Sequence, residues 1–468
     1  MFSRILILSL PALLAGCISL DPDYQRPVAP VPATLPYSTA SSSKAADIPW
    51  QETIIDPKLR QVIALALESN RDLRQAIADI EAARAQYGVQ RAAQIPTVNA
   101  GVNGSRGRGL SDTSDGNNNT AISQSYGAQA SVSAFELDLF GKKSSLSHAE
   151  FETYLATEEA AKTTRITLIA DTATAWVTLA ADQNQLLLAE ETLKSAEQSL
   201  KLAQLRQKNG IASRIDVAAM ETLYQSARAD VAQYKTTVAQ DKNALDLLVG
   251  QPVAAHLLPV TASTLPEVIK AVPVGLSSDV LLNRPDVLEA EHKLKSANAN
   301  IGAARAAFFP SVTLTASGGV SSSALSTLLS EGAGIWSLAP AITLPIFDGG
   351  ANRAALEYSQ AQKTGYIAAY EKAIQTAFKE VADALARKAT IQEQRAAQQA
   401  YVAAAQESVE LAQKRYKQGI DTYLNMLDAQ RTLYAAQTRL IAVQQIQTNN
   451  LITLYKVLGG GVSDVAKE

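Results

Sequence analysis

Few side chains in this chain are spaced for bond-making chemistry. The three histidines, His148, His256 and His292, have no second ligand at metal-binding spacing and no cysteine nearby, which predicts no metal centre. The glycine-rich Phe347-Asp348-Gly349-Gly350 lacks the Lys-Ser/Thr pair of a phosphate-binding loop, so no nucleotide site is expected. Serine and aspartate are abundant but form no recognisable triad. Neither catalysis nor a bound cofactor is expected. More suggestive are acids set beside apolar residues. Leu424 and Asp428, separated by one helical turn in sequence, share a helix face. Glu136 and Asp138 alternate with Phe135, Leu137 and Leu139, which turns the acids to the wet face of a strand. Each has a plainer reading: an Asp at a helix start complements the macrodipole, a Leu there packs, and an acid on a wet face is simply solvated.

The single cysteine carries a different chemistry. Cys17 follows Arg4, an apolar run from Ile5 to Leu14, and Ala15-Gly16. Leu14-Ala15-Gly16-Cys17 resembles the bacterial lipobox, and the run is too short to stay as a membrane-spanning helix. Residues 1–16 are therefore expected to be a signal peptide, leaving Cys17 to carry diacylglycerol and palmitate. One acyl chain anchors weakly, whereas several hold a protein to a bilayer. Ile18 stands where lipoproteins retained at the inner membrane usually have Asp, which implies delivery to the outer membrane. With one cysteine, no disulfide forms within the chain.

The elements that must position these residues come in two sets. Gly88-Val89-Gln90-Arg91-Ala92-Ala93-Gln94-Ile95-Pro96-Thr97-Val98 recurs as Gly302-Ala303-Ala304-Arg305-Ala306-Ala307-Phe308-Phe309-Pro310-Ser311-Val312. Arg206-Gln207-Lys208-Asn209-Gly210-Ile211 recurs as Arg415-Tyr416-Lys417-Gln418-Gly419-Ile420. Repetition in constant order predicts two equivalent halves. The first, 57–250, reads as a helix to Ala93 with Asp56 as N-cap, strands about 96–108 and 124–140, a long helix 142–209 and a returning helix 214–249. The second, 279–461, reads as a helix, strands about 310–320 and 335–347, a long helix 351–418 and a returning helix 421–458. Residues 17–56 read as an extended tail, 251–278 as a Pro-rich linker and 462–468 as a C-terminal tail. Gly109 to Ser123 and Gly318 to Gly334 read as loops.

Val98, Ala100 and Val102 alternate with Asn99, Gly101 and Asn103, and Val312, Leu314 and Ala316 with Thr313, Thr315 and Ser317. Such alternation marks strands with one oily and one wet face. The apolar parity changes between Val132 and Phe135, which predicts a bulge near Ser133. Each long helix, of roughly 67 residues, would extend about 100 Å. Gly210 and Gly419 stand where these helices stop, as C-caps do.

Composition agrees. The net charge of −3 gives no reason to expect a nucleic-acid partner. Hydrophobic residues make up 47% but aromatics only 6%, a balance that suits closely packed Ala-rich helices. Four strands cannot seal themselves in lipid, which offers no partners to a sheet edge, and membrane barrels begin at about eight strands. Three chains pooling their strands would satisfy this, with the helices side by side in a wide tube. A soluble coiled-coil protein with two incidental hairpins is the plainer alternative.

Further landmarks are specific. They are Pro22-Asp23-Tyr24-Gln25-Arg26-Pro27, Trp50, Asn70-Arg71-Asp72-Leu73 and Phe135-Glu136-Leu137-Asp138-Leu139-Phe140-Gly141. The second half adds Asn283-Arg284-Pro285-Asp286, Leu344-Pro345-Ile346-Phe347, Glu371 to Phe378 and Leu427-Asp428-Ala429-Gln430-Arg431. In this order they resemble the TolC-type outer-membrane channel family, in its lipoprotein branch typified by OprM. The resemblance implies a homotrimer with a twelve-strand transmembrane β-barrel continuous with a twelve-helix periplasmic α-barrel. It also implies a periplasmic adaptor, an inner-membrane RND-type pump and the expulsion of drugs and other toxic compounds. Protein secretion or metal efflux through the same kind of channel is the nearest alternative, and a structural periplasmic lipoprotein a more distant one.

In that family the turns between paired helices close the tunnel and meet the adaptor. Here those turns are Gly210 to Asp216 and Gly419 to Asp428, with Gly210, Gly419, Asp216 and Asp421 as docking candidates. Tyr423-Leu424-Asn425-Met426-Leu427-Asp428 matches the constriction motif, which implies an apolar collar of Leu424 and a carboxylate ring of Asp428. Asn425 stands where relatives often carry a further acid, so a second ring at that level is not expected. Glu136 and Asp138 would face the lumen near the junction of barrel and tunnel.

Overall fold

In the computed structural model the described residues are 19–37, 48–112, 118–260, 265, 267–271, 277–330 and 332–460. The signal peptide, Cys17 and the C-terminal tail lie outside them. The elements run α1 (Trp50–Thr53), α2 (Pro57–Ser69), α3 (Arg71–Ala92), β1 (Val98–Asp112), β2 (Asn118–Leu137), α4 (Lys142–Lys208) and α5 (Arg214–Val249). They continue as α6 (Pro285–Ala306), β3 (Ser311–Ser322), β4 (Gly334–Thr343), α7 (Ala351–Lys417) and α8 (Tyr423–Val457). Internal contacts divide the chain into two units: Met1–Pro27, Ile80–Ala156 and Ala290–Tyr370, and the remainder. Among the described residues no helix is long and apolar enough to cross a membrane.

The first unit holds an antiparallel sheet in the order β1-β2-β3-β4. Opposed residues lie on the same face. One face therefore reads Val98, Ala100 and Val102 on β1, Val132, Ala130 and Ala128 on β2, Ala316 and Val320 on β3, and Leu338 and Trp336 on β4. The other reads Asn99 and Asn103, then Ser131 and Gln129, then Ser317 and Ser321. The ladder shifts between Val132 and Phe135, where Ala134 takes φ 47° and its N–H donates to Thr315 Oγ1 at 3.1 Å. Across the shift Phe135 and Leu137 rejoin the apolar face, opposite Leu314 and Val312. That face is uncovered in the single chain: Val102 is 84% exposed, Trp336 83% and Ile342 73%.

The strands differ from the sequence reading at their ends. β1 and β2 run through most of the segment read as a loop, to Asp112 and from Asn118, because a ladder is made of backbone and tolerates Ser, Asn and Gly. β2 stops at Leu137 and not 140, since Asp138 turns to cap α4. β4 stops at Thr343 and not 347, and as an edge strand it accommodates Pro340 within its ladder.

Where it is described, the segment read as an extended tail is fastened at several points. In the first unit, Glu291 receives Arg26 Nε at 3.0 Å, Arg26 Nη2 at 2.6 Å and Tyr24 Oη at 3.2 Å. Asn298 Nδ2 donates to Pro22 O, and Arg305 Nη1 to Leu20 O. Gly302 lies so near that a Cβ there would fall on Asp21. His148 Nδ1 meets Asp21 at 3.3 Å, and His292 Nδ1 meets Glu152 at 2.6 Å. Thus two histidines that sequence left isolated are gathered by tertiary structure, yet among the described residues no metal-binding group of three forms.

In the second unit, Trp50 and Ile54 are buried, and isolated bridges join Ile54 to Ile269 and Thr34 to Ser277. The helix read as continuous from 57 to 93 is two. Asn70 is buried and extended, its Oδ1 accepting Leu73 N–H and its Nδ2 donating to Leu248 O, each at 2.8 Å. A side chain that offers the backbone such partners breaks a helix locally. Arg284, also buried, ties Asp286 and Glu380 and donates to Val457 O.

Candidate functional site

The long helices each end in the same reversal. Gly210 N–H donates to Gln207 O and Ile211 N–H to Arg206 O; Gly419 N–H donates to Tyr416 O and Ile420 N–H to Arg415 O. This paired pattern is the Schellman motif. The glycines take φ 70° and 73°, which a side chain would strain, and nothing lies within 4 Å of where a Cβ would stand. The backbone conformation, not a neighbour, requires glycine there.

Beyond the turns the helix starts diverge. Ser213 and Asp216 form a capping box on α5: Ser213 Oγ accepts Asp216 N–H while the Asp216 carboxylate accepts Ser213 N–H at 2.9 Å. On α8, Thr422 makes no side-chain cap bond. Arg415 Nε instead donates to Asp421 at 2.9 Å and Asn425 Nδ2 donates to Asp421 at 2.7 Å. Arg415, with Asn425 second, holds the Asp421 carboxyl below the usual carboxylate range. Both acids named as docking candidates, Asp216 and Asp421, therefore have intrachain work at the turns.

Tyr423, Met426 and Leu427 are buried in a cluster with Leu200, Ala203, Val217 and Met220, which seats the start of α8 on the other helices of its unit. Burial pushes the Tyr423 phenol up to about 12. Tyr416 stands edge-on to Tyr423 at 5.3 Å and accepts Arg206 Nη1 at 3.0 Å. This leaves Leu424, 65% exposed, and Asp428 together on the outward side of α8. An apolar and an acidic side chain thus sit a turn apart, outside the buried cluster.

The other predicted acids separate. Asp138 accepts Lys143 N–H at 3.0 Å and Ser144 N–H at 2.7 Å, so its charge serves the start of α4. Glu136 remains on the polar face of the sheet, opposite Thr313 and 3.6 Å from Lys142 Nζ. Sequence reasoning passed over Ser213 and Arg415, and read Asn425 only as the place of a missing acid. The Ser-x-x-Asp spacing was a signal for the first; the other two follow only from the geometry of the turn. It also missed Asp182, whose carboxyl burial and the neighbouring Asp241 push up to about 7.

A family model described as outer membrane efflux protein matches residues 62–251 and 276–460, one stretch in each half. The antibiotic efflux pump outer membrane protein ArpC of Pseudomonas putida is 46% identical over 473 residues, 98% of this chain and 96% of that protein. The toluene efflux pump outer membrane protein TtgC, also of Pseudomonas putida, matches with the same identity and coverage. The open state of the Neisseria gonorrhoeae MtrE outer membrane channel superposes with a TM-score of 0.86 at 37% identity, over 95% of this chain and 98% of that one.

Proposed function

The chain belongs to the outer membrane efflux protein family, and from that premise we propose that three copies form the exit duct of an efflux pump. The observation that carries this reading is the sheet, apolar on one face, polar on the other, and open at β1 and β4. Open edges are untenable in lipid, so β1 of one copy pairs with β4 of the next until the ring closes. The apolar face then meets lipid and the polar face lines water. Helices in the periplasm continue the aqueous path. At their turns Leu424 supplies an apolar collar and Asp428 a carboxylate ring, the two parts of a gate.

The duct is passive. An inner-membrane RND-type pump supplies the energy, and a periplasmic adaptor meets the turns at Gly210 and Gly419. Cys17 carries the diacylglycerol and palmitate that hold each chain to the outer membrane. Relatives named for toluene and antibiotic efflux support small, partly apolar toxic compounds as cargo.

Two measurements test this. Purified full-length protein should cross-link as a trimer and give discrete conductance steps in a planar bilayer; a cross-linked trimer without conductance refutes the duct. Asp428→Ala should leave assembly intact yet raise sensitivity to large hydrophilic antibiotics severalfold in a pump-free strain, because the narrowest ring loses bulk and charge together. Unchanged permeability removes the gate role from Asp428.

A further inference from the structure

Along β1 the apolar face runs Val98, Ala100, Val102 and Gly104, then changes to Arg106 and Arg108, both exposed. Their opposites on β2 are Gln124 and Ile122. β3 ends at Ser322, opposite Tyr126, so both arginines stand on the part of the first hairpin that reaches past the second. They are the only cations in the four strands, whose other charges are Glu136 at the opposite end and Asp112 where β1 finishes.

Their height follows from strand geometry. From Leu137 to Tyr126, with the bulge discounted, the face extends about 33 Å along the strand. At the usual tilt of a membrane barrel this becomes about 25 Å, the height of its lipid-facing band. Phe135 and Tyr126 stand near the two ends of that band, as girdle aromatics do. The lower end of each strand leads to a helix, α3, α4, α6 or α7. Arg106 and Arg108 therefore emerge just past the far girdle, on the side turned to lipid and away from the channel. Steering of cargo would call for the opposite parity.

We infer that Arg106 and Arg108 bind the phosphate groups of outer-leaflet glycolipid and fasten the rim of the barrel to that leaflet. The inference rests on the proposed duct, which sets the hairpins on the outer side. A guanidinium fork matches phosphate oxygens in bidentate fashion, and charge-assisted bonds of this kind are the stronger ones.

The test uses full-length oligomer in detergent, titrated separately with lipopolysaccharide, with enzymatically dephosphorylated lipopolysaccharide and with inorganic phosphate. The native protein should prefer the phosphorylated lipid, and the Arg106→Gln/Arg108→Gln variant should bind it at least about tenfold more weakly. The dephosphorylated lipid should bind both proteins alike, and inorganic phosphate should compete only at far higher concentration. Equal binding of the phosphorylated lipid by native protein and variant overturns the site, and inorganic phosphate binding as tightly as the lipid overturns the lipid assignment. Conductance in planar bilayers, recorded on the same samples, separates the two claims. Normal conductance with unaltered lipid binding defeats the arginine site alone, whereas assembled native protein without conductance defeats the duct and the site with it.

Discussion

At the first turn Ser213 and Asp216 cap α5 reciprocally; at the second, Thr422 occupies the position of Ser213 but makes no side-chain cap, and Arg415, Asp421 and Asn425 hold the chain instead. Aligned from their glycines, Ala212 matches Asp421, Asp216 matches Asn425, Ala218 matches Leu427 and Ala219 matches Asp428. What the turns share is the backbone reversal, with its left-handed glycine and paired N–H bonds. What they do not share is the capping and the charge beyond it. Ile215 and Leu424 occupy matching positions and both are exposed, so each repeat can add an apolar residue to a collar. Only the second repeat, through Asp428, can add a carboxylate. Duplication thus preserved the turn and left charge free to differ.

The largest effect should come from a buried position that the two turns fill differently. Leu427 is fully buried where Ala218 is exposed. Leu427→Ala should cost about 2–5 kcal/mol of local stability, from lost transfer energy and the cavity left behind. Hydrogen exchange should show residues 415–430 losing more protection than 206–220. Equal loss at both turns would mean that the shared cluster with Val217 and Met220 makes them one cooperative unit, and would erase the contrast.

The same contrast explains what could be read beforehand. The long helices and their stops were legible because helix interiors exclude proline and a left-handed terminus favours glycine, and both leave marks on residue type. The oily and wet faces of the strands were legible for the same reason, as was the parity change at Val132. The break at Asn70 was not, since an asparagine inside a helical pattern looks tolerable until its amide finds Leu248 O. Leu424 and Asp428 were legible as a pair, and their joint exposure follows from the burial of Tyr423, Met426 and Leu427 between them. Asp138, Asp216 and Asp421 were legible as acids but not as partners. Their roles depend on N–H groups and an arginine brought near by the turns, and an acid destined for a cap looks in sequence like an acid destined for a surface.

A smaller effect separates the caps. Ser213→Ala should cost about 1 kcal/mol at the first turn by orphaning a helix N–H. Thr422→Ala should cost far less, because no cap bond is lost. Matching losses of exchange protection in the two variants would show that Thr422 caps α8 in solution after all, and the two turns would then be built alike.

The smallest effect concerns the charge that only the second turn places at its reversal. Because Arg415 depresses the Asp421 carboxyl, the pair's contribution is fully present above the unfolded-state value of about 3.9 and is lost as pH falls through the lower folded value. A carboxyl carbon shift followed by NMR should therefore titrate below that reference in native protein and return toward it in Arg415→Gln. Salt should move it the same way, since the pair is partly exposed and therefore screened. If Arg415→Gln leaves the titration where it was, Asp421 is not committed to its own chain. It would then be as available to an adaptor as the sequence suggested, and the turns would differ in packing alone.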